Sequence, residues 1–275
     1  VVNGGELLLL FDNVGAEYVS RISDGAKAAS AASGFKTRST NLYGRDEDVS
    51  DYLTDDAIAG VIVTPPISDD RPVLGKIEAL GLPVVRIAPM LDLERGNIVT
   101  MDEYDAARAI AEHLLKHGHR RIGFIKGPRR HLVSIRRFNG FANALGGHGL
   151  KVDHDLIVEG DFSRASGREV ADALLRAKPS AVFASNDEMA IGFMEAARER
   201  GVDIPGDISL VGFDGNSAAS RCNPALTTIR QPLREMGETA VRILAESLSR
   251  PGSRRASVEV PYDMLEGASV REFAA

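Results

Sequence analysis

Residues 180–215, SAVFASNDEMAIGFMEAARERGVDIPGDISLVGFDG, leave little freedom in how the chain can fold. AVFA (181–184) is an apolar run of buried-strand length, and ISLVGF (208–213) is a second. Between them Ala190, Phe193, Met194 and Ala197 recur at helical spacing. Ser185 and Glu188 stand at the spacing of a capping box, and Gly201 followed by Pro205 suits the helix end. Two wholly apolar strands joined through a helix make a β-α-β unit of parallel sheet covered on both faces. The strands stop on Ser185-Asn186-Asp187 and on Asp214-Gly215, so Asn186 and Asp214 should emerge at one sheet edge. In open α/β sheets that edge is where ligands bind.

The remainder of the chain repeats the pattern. ELLLLF (6–11) is a buried strand ending in Asp12-Asn13, followed by a helix from about 17 to 32. Further strands are expected at 35–40, 60–64, 83–88 and 97–101, with helices at 46–56 and 73–80 between them and a loop at 89–96. Pro65-Pro66 ends the strand before it, because proline cannot continue a central strand. A helix that Thr100 and Glu103 could cap carries Ala106, Ile110 and Leu114 on one face. Then come a strand at 121–125, a helix at 133–145, a weak strand at 156–159 and a helix at 166–176. After residue 215 a strand at 226–229 leads to a helix that Pro232 opens, and SVEVPYDML (257–265) alternates as a late antiparallel strand. Two successive runs of strand-helix units, divided near 126–128, predict an α/β protein of two doubly wound parallel-sheet lobes.

Acidic and basic residues are interspersed around a net charge of −6, and nothing in that pattern suggests a nucleic-acid-binding stripe or a membrane-surface helix. No apolar run is long enough to span a bilayer. The single cysteine, Cys222, rules out an internal disulfide and agrees with a cytoplasmic location. No phosphate-binding loop, dinucleotide-binding glycine triplet or nucleophile elbow occurs, so no enzyme and no cofactor are expected. Ser33 and Lys36 match S-x-x-K without its companion motifs. His113 and His117 are four apart on a helix but lack the order of a metalloprotease helix and a clear third ligand, so no metal is expected. Asp187 and Glu188 begin a helix, where negative charge is stabilised in any case, and nothing in the sequence raises either pKa.

What the sequence offers is a binding site. In RRFNGF (136–141), Phe138, Phe141, Ala142 and Leu145 form the buried stripe, and Arg137 lies at its margin nearer the strand ends. The competing reading is a pair of solvated surface arginines. Phe162 follows a strand end, where an aromatic stacks on a ligand or merely seals the lobe, and Tyr18 poses the same choice. A guanidinium, a carboxylate, a carboxamide and an aromatic ring suit a carbohydrate: the polar groups take paired hydroxyls and the ring covers the apolar face.

The segments HGHRRIGFIKGP (117–128), RRFNGFANAL (136–145), SNDEMAIGFMEAARERGVDIPGDISLVGFDG (185–215) and PALTTIRQPLREMGETAVRIL (224–244) resemble the effector-binding core of LacI/GalR-family transcription regulators. The resemblance implies two lobes of periplasmic-binding-protein type I architecture with a small-molecule cleft between them. It implies three crossovers, near 126–128, 230–232 and 255–258. The N-terminal lobe would then be 1–126 plus 232–256, and the C-terminal lobe 127–231 plus 257–275. By motif position, the ligand-contacting arginine, asparagine and aspartate fall on Arg137, Asn186 and Asp214. Phe162 falls where an aromatic stacks on the effector, Tyr18 where first-lobe contacts begin, and Asp12 and Asn13 at the end of the first strand. The implied partners are a sugar-like effector and a second copy of the chain. Operator DNA would be bound only through a helix-turn-helix headpiece, which is absent from these residues. The alternative carried by the same fold is a periplasmic sugar-binding protein serving a transporter.

Overall fold

A computed structural model describes residues 5–46 and 48–273. The chain opens with β1 (Glu6–Phe11), α1 (Ala16–Ser33), β2 (Lys36–Asn41), the short α2 (Ser50–Leu53), β3 (Ile58–Val63), α3 (Arg71–Ala79), β4 (Val84–Ile87) and β5 (Asn97–Thr100). It continues through α4 (Glu103–Lys116), β6 (Ile122–Lys126), α5 (Leu132–Gly147), β7 (Ile157–Glu159), α6 (Arg164–Glu169), α7 (Ala171–Ala177), β8 (Ala181–Ala184) and α8 (Asp187–Glu199). The last elements are β9 (Ser209–Asp214), α9 (Ser217–Arg221), β10 (Thr227–Arg230), α10 (Leu233–Ser249), β11 (Ser257–Glu259) and β12 (Asp263–Leu265).

These elements form two compact units, one ending at Met101 and resumed over Pro232–Pro261, the other Asp102–Gln231 resumed from Tyr262. The first passage between units therefore lies at Met101/Asp102, not near 126–128. Strand β6 pairs in parallel with β7 and β8, and α4 packs on α5, so residues 102–126 belong with the second sheet. The third passage moves in the same way, from 255–258 to Pro261/Tyr262. The expected strand 257–265 is two strands interrupted by Pro261. Strand β11 pairs in parallel with β5, whereas β12 runs antiparallel to β10. The helix expected over 46–56 is a single turn, and the one expected over 166–176 is two helices meeting at Val170.

Each unit is a doubly wound sheet. The first is ordered β11-β5-β4-β3-β1-β2 and is parallel throughout; the second is ordered β12-β10-β9-β8-β6-β7, parallel except for β12. Strand β1 buries Leu7–Phe11 completely, because helices cover both faces, and each such side chain contributes roughly 1.5–3 kcal/mol. In the first unit Arg86 is fully buried in β4. It donates to the carbonyls of Ser68 (2.7 Å), Leu91 (2.6 Å), Asp92 (2.8 Å) and Arg95 (3.0 Å) and meets Asp69 at 3.3 Å. The loop after β4 is thus tied down by a cation that the expectation of a strand at 83–88 did not single out.

Strand order reverses between β1 and β3 in the first unit and between β6 and β8 in the second. Ligands bind at the carboxyl ends of strands at such a switch point. All the candidate residues lie near one or the other of these two places.

Candidate functional site

In the second unit, β8 delivers Ser185 and Asn186, β9 ends on Asp214, and α5 carries Arg137 over the same strand ends. The Arg137 side chain is 5% exposed. Its Nε donates to Glu103 Oε2 at 2.7 Å, its Nη1 donates to the Ser185 carbonyl at 2.7 Å, and Nη1 lies 3.8 Å from Asp214 Oδ1. The guanidinium rests on the Phe213 ring, 3.9 Å from its centroid. Arg137 is therefore not one of a pair of solvated arginines. Arg136 is the exposed member.

Glu103 reaches Arg137 because α4 and α5 approach closely. A Cβ on Gly140 would lie 2.2 Å from the Tyr104 carbonyl, so only glycine permits this spacing. The cap expected from Thr100 and Glu103 is instead supplied by Asp102, whose carboxylate accepts from the amides of Tyr104 (3.1 Å) and Asp105 (2.9 Å). Glu103 is thereby free to turn inward, where it is 2% exposed.

Asp214 is 18% exposed, accepts from Gln231 Nε2 at 2.6 Å and holds a backbone φ of 132°, a conformation that favours glycine. Burial pushes its carboxyl up to about 8, Arg137 opposes the shift, and the charges of Asp187 and Glu103 add to it. Asp187, at the start of α8, is fully buried and accepts from Thr228 Oγ1 (2.6 Å) and from the Asn216 amide (2.8 Å). Burial raises it to about 6, contrary to the reading of Asp187 as an ordinary helix-start acid.

The cap of α8 is Asn186, not Ser185. Its Oδ1 accepts from the Met189 amide at 2.9 Å, and its Nδ2 donates to the Phe162 carbonyl at 2.9 Å. Phe162 has a φ of 71° and is 9% exposed. Its ring packs edge-on against His131, with centroids 5.3 Å apart and planes at 81°. A Cβ on Gly127 would fall 2.2 Å from that ring. His131 is buried and held down to about 4 by burial, with Arg130 and Arg137 adding to the effect, so it is neutral at physiological pH.

The structure thus brings Arg137, Asp214, Asn186 and Phe162 together at one switch point. Gln231 and His131 join them without having been singled out in the sequence, and so does Glu103, which the sequence offered only as a cap. Glu103 carried a signal, a charged residue on a helix whose other side is apolar, but it reads equally well as a cap. Asp12, Asn13 and Tyr18 lie in the first unit at the end of β1 and in the first turn of α1, all half-buried. The Asn13 amide donates to Asn41 Oδ1 (3.1 Å), and Asn41 Nδ2 donates back to the Asn13 carbonyl (2.8 Å), which joins the ends of β1 and β2.

The histidine pair at the C-terminal end of α4, His113 in its last turn and His117 just beyond, stands apart from this group. His117 Nδ1 donates to the His113 carbonyl at 2.8 Å. Among the described residues no cluster of three or more histidine, cysteine, aspartate or glutamate side chains could hold a metal ion. No helix among them is long and apolar enough to cross a membrane.

Residues 111–270 match the periplasmic binding protein-like domain family. The chain is 35% identical over 206 residues to the HTH-type transcriptional regulator DegA of Bacillus subtilis, covering 74% of this chain and 60% of that protein. Across the first four curated relatives the chain spans 55–68% of their length. Among solved structures, the complex of the transcriptional regulator CelR with cellobiose superimposes with a TM-score of 0.88 at 24% identity, covering 98% of this chain and 86% of that one. A LacI family transcriptional regulator from Enterococcus faecium with bound ribose gives 0.87 at 23% identity, covering 98% and 100%.

Proposed function

The chain belongs to the LacI family of transcription regulators, with the periplasmic-binding-protein-like core of that family, and on this premise we propose that it is the ligand-sensing and dimerisation core of such a regulator. The effector is a sugar or a sugar derivative. What carries the reading is the convergence of Arg137, Asp214 and Phe162 at the switch point of the second sheet. An acceptor carboxyl and a guanidinium there are set beside an aromatic ring, which is the set of groups a sugar needs. The neighbours solved with cellobiose and ribose support a carbohydrate. Asp12, Asn13 and Tyr18 are proposed as ligand contacts at the strand ends of their own unit.

The core pairs with a second copy of itself in the cytoplasm, and operator DNA is bound by a helix-turn-helix headpiece outside residues 1–275. A bound effector shifts the core between conformations only by its differential affinity for them. Calorimetry with a panel of mono- and disaccharides, repeated on Arg137→Ala and Asp214→Ala, tests the site. Loss of heat in both variants supports it, and binding undiminished in both discards it. Sedimentation at micromolar concentration tests the pairing, for which a monomer mass is the contrary result.

A further inference from the structure

Most of the charge at this site is already matched. Arg137 is the cation buried at the strand ends of the second unit, and Glu103 engages it at 2.7 Å with 2% of its own side chain exposed. Asp214 stands 3.8 Å from the same guanidinium, and Asp187 lies fully buried on the adjoining helix. His131, the ring against Phe162, is neutral at physiological pH. Lys126, at the end of β6, is turned onto the Phe138 ring at 3.7 Å. One buried guanidinium therefore faces two carboxyl groups, Glu103 and Asp214, with Asp187 buried beyond them.

A phosphate or carboxylate placed beside Arg137 would have to displace Glu103 or share the cation with it. Displacing Glu103 leaves an unpaired charge in the interior, which is strongly unfavourable. Sharing sets two anions, Glu103 and the ligand, around one cation, and like charges in a desolvated site repel strongly. A neutral polyol meets neither obstacle. Its hydroxyls donate to the carboxyl of Asp214, and its C–H face lies against the aromatic ring.

We infer that Glu103 is a specificity-determining residue: by holding Arg137 in an internal ion pair it restricts this surface to uncharged sugars and excludes their phosphorylated or carboxylated derivatives. The inference rests on the reading that this strand-end surface takes the effector, and it goes further by fixing the effector's charge. Glu103 acts through Arg137 and does not itself need to touch the ligand.

The experiment measures affinity for ribose, glucose and cellobiose beside ribose 5-phosphate, glucose 6-phosphate and glucuronate, on the wild-type chain and on Glu103→Gln and Glu103→Asp. The wild type is expected to favour a neutral sugar over its anionic partner by about tenfold or more. Glu103→Gln frees the Arg137 charge, so the ratio should narrow by about tenfold or reverse, whereas Glu103→Asp, which keeps the charge, should preserve it. An anionic sugar bound as tightly as its neutral partner by the wild type overturns the inference. So does a ratio that Glu103→Gln leaves unchanged. If Glu103→Gln is too unstable to bind, the wild-type ratio decides alone: about tenfold or more upholds the inference, and less overturns it. An anion preference that disappears in Asp214→Ala overturns the charge rule and leaves the effector site standing; binding of no probe at all overturns both.

Discussion

Asn186 Nδ2 donates to the carbonyl of Phe162 at 2.9 Å, while Oδ1 of the same side chain caps α8 through the Met189 amide. One carboxamide thus fixes a helix start and the backbone on which the Phe162 ring is mounted. Phe162 sits at φ 71°, a strained conformation for a residue with a Cβ, and it persists because neighbours such as Asn186 hold it. Asn186→Ala is expected to lose about 1–2 kcal/mol of stability, from the cap and from the buried carbonyl left without its donor. Asn186→Asp keeps the cap acceptor but cannot donate, so it should recover part of the stability and little of the ligand affinity. Denaturation and calorimetry on the two variants separate the roles. Equal recovery of stability and affinity in Asn186→Asp would count against the link to Phe162.

Gly127 closes the other side of that ring. A methyl group there would meet the Phe162 ring at 2.2 Å and Ser134 Oγ at 2.6 Å, well inside contact distance. Both neighbours are buried, so neither can swing away cheaply. Gly127→Ala should cost about 1–3 kcal/mol of stability and displace the ring, reducing sugar affinity. The melting temperature and the calorimetric titration should fall together. Affinity retained in full would mean that the ring does not contribute to binding.

Asp214 carries a stability cost that rises with pH. Its carboxyl is raised to about 8 in the folded chain against about 4 when unfolded, so the folded state holds the proton longer. A raised carboxyl stabilises fully below the unfolded value, and that contribution is lost as pH climbs through the folded value. Asp214→Asn removes the titration and can still accept from Gln231. Its advantage over wild type should therefore grow between about pH 5 and about pH 9, reaching about 1–3 kcal/mol, while sugar affinity drops. Urea midpoints at the two pH values check this. A difference that does not change with pH would remove burial of the carboxyl as its cause.

The fold was legible because its signals are local and repeated. Apolar strands such as AVFA and ISLVGF, separated by helices of regular period, fix parallel sheets whichever partners they choose. The passages between units were not legible, because they depend on which sheet accepts β6 and on how α4 packs against α5. The motif positions of Arg137 and Asp214 and the strand-end positions of Asn186 and Phe162 were readable. The partners that set their chemistry were not: Glu103 is 34 residues from Arg137, and Gln231 is 17 from Asp214. Ser185 and Asn186 are both good capping residues, so spacing alone favoured the one followed three places later by Glu188. Arg86 was hidden for a related reason, since a run of apolar neighbours says that a strand is buried but not that loop carbonyls converge on its cation.

Two histidines oppose the two acids in the pH dependence of folding. His119 is fully buried, with Nε2 donating to the Arg271 carbonyl at 3.2 Å and Nδ1 lying 3.1 Å from Ser180 Oγ. Burial holds it down to about 4, as it does His131, against about 6.5 in the unfolded chain. Each histidine is thus protonated in the unfolded chain before the folded one, and its contribution to stability is lost as pH falls from about 6.5 to about 4. Over the same interval the folded chain retains protons on Asp187 and Asp214 that the unfolded chain has released. The two effects have opposite signs and comparable proton numbers, so these four groups together should leave wild-type stability nearly flat between about pH 4.5 and about pH 6. Single substitutions expose each half of the balance. His119→Gln cannot take up the proton, so its stability relative to wild type should improve by about 1–3 kcal/mol between about pH 7 and about pH 4.5, whatever fixed cost the substitution carries. Asp214→Asn should lose ground to wild type over the same fall in pH. If both differences stay constant across that range, the opposing proton uptake of these groups is refuted.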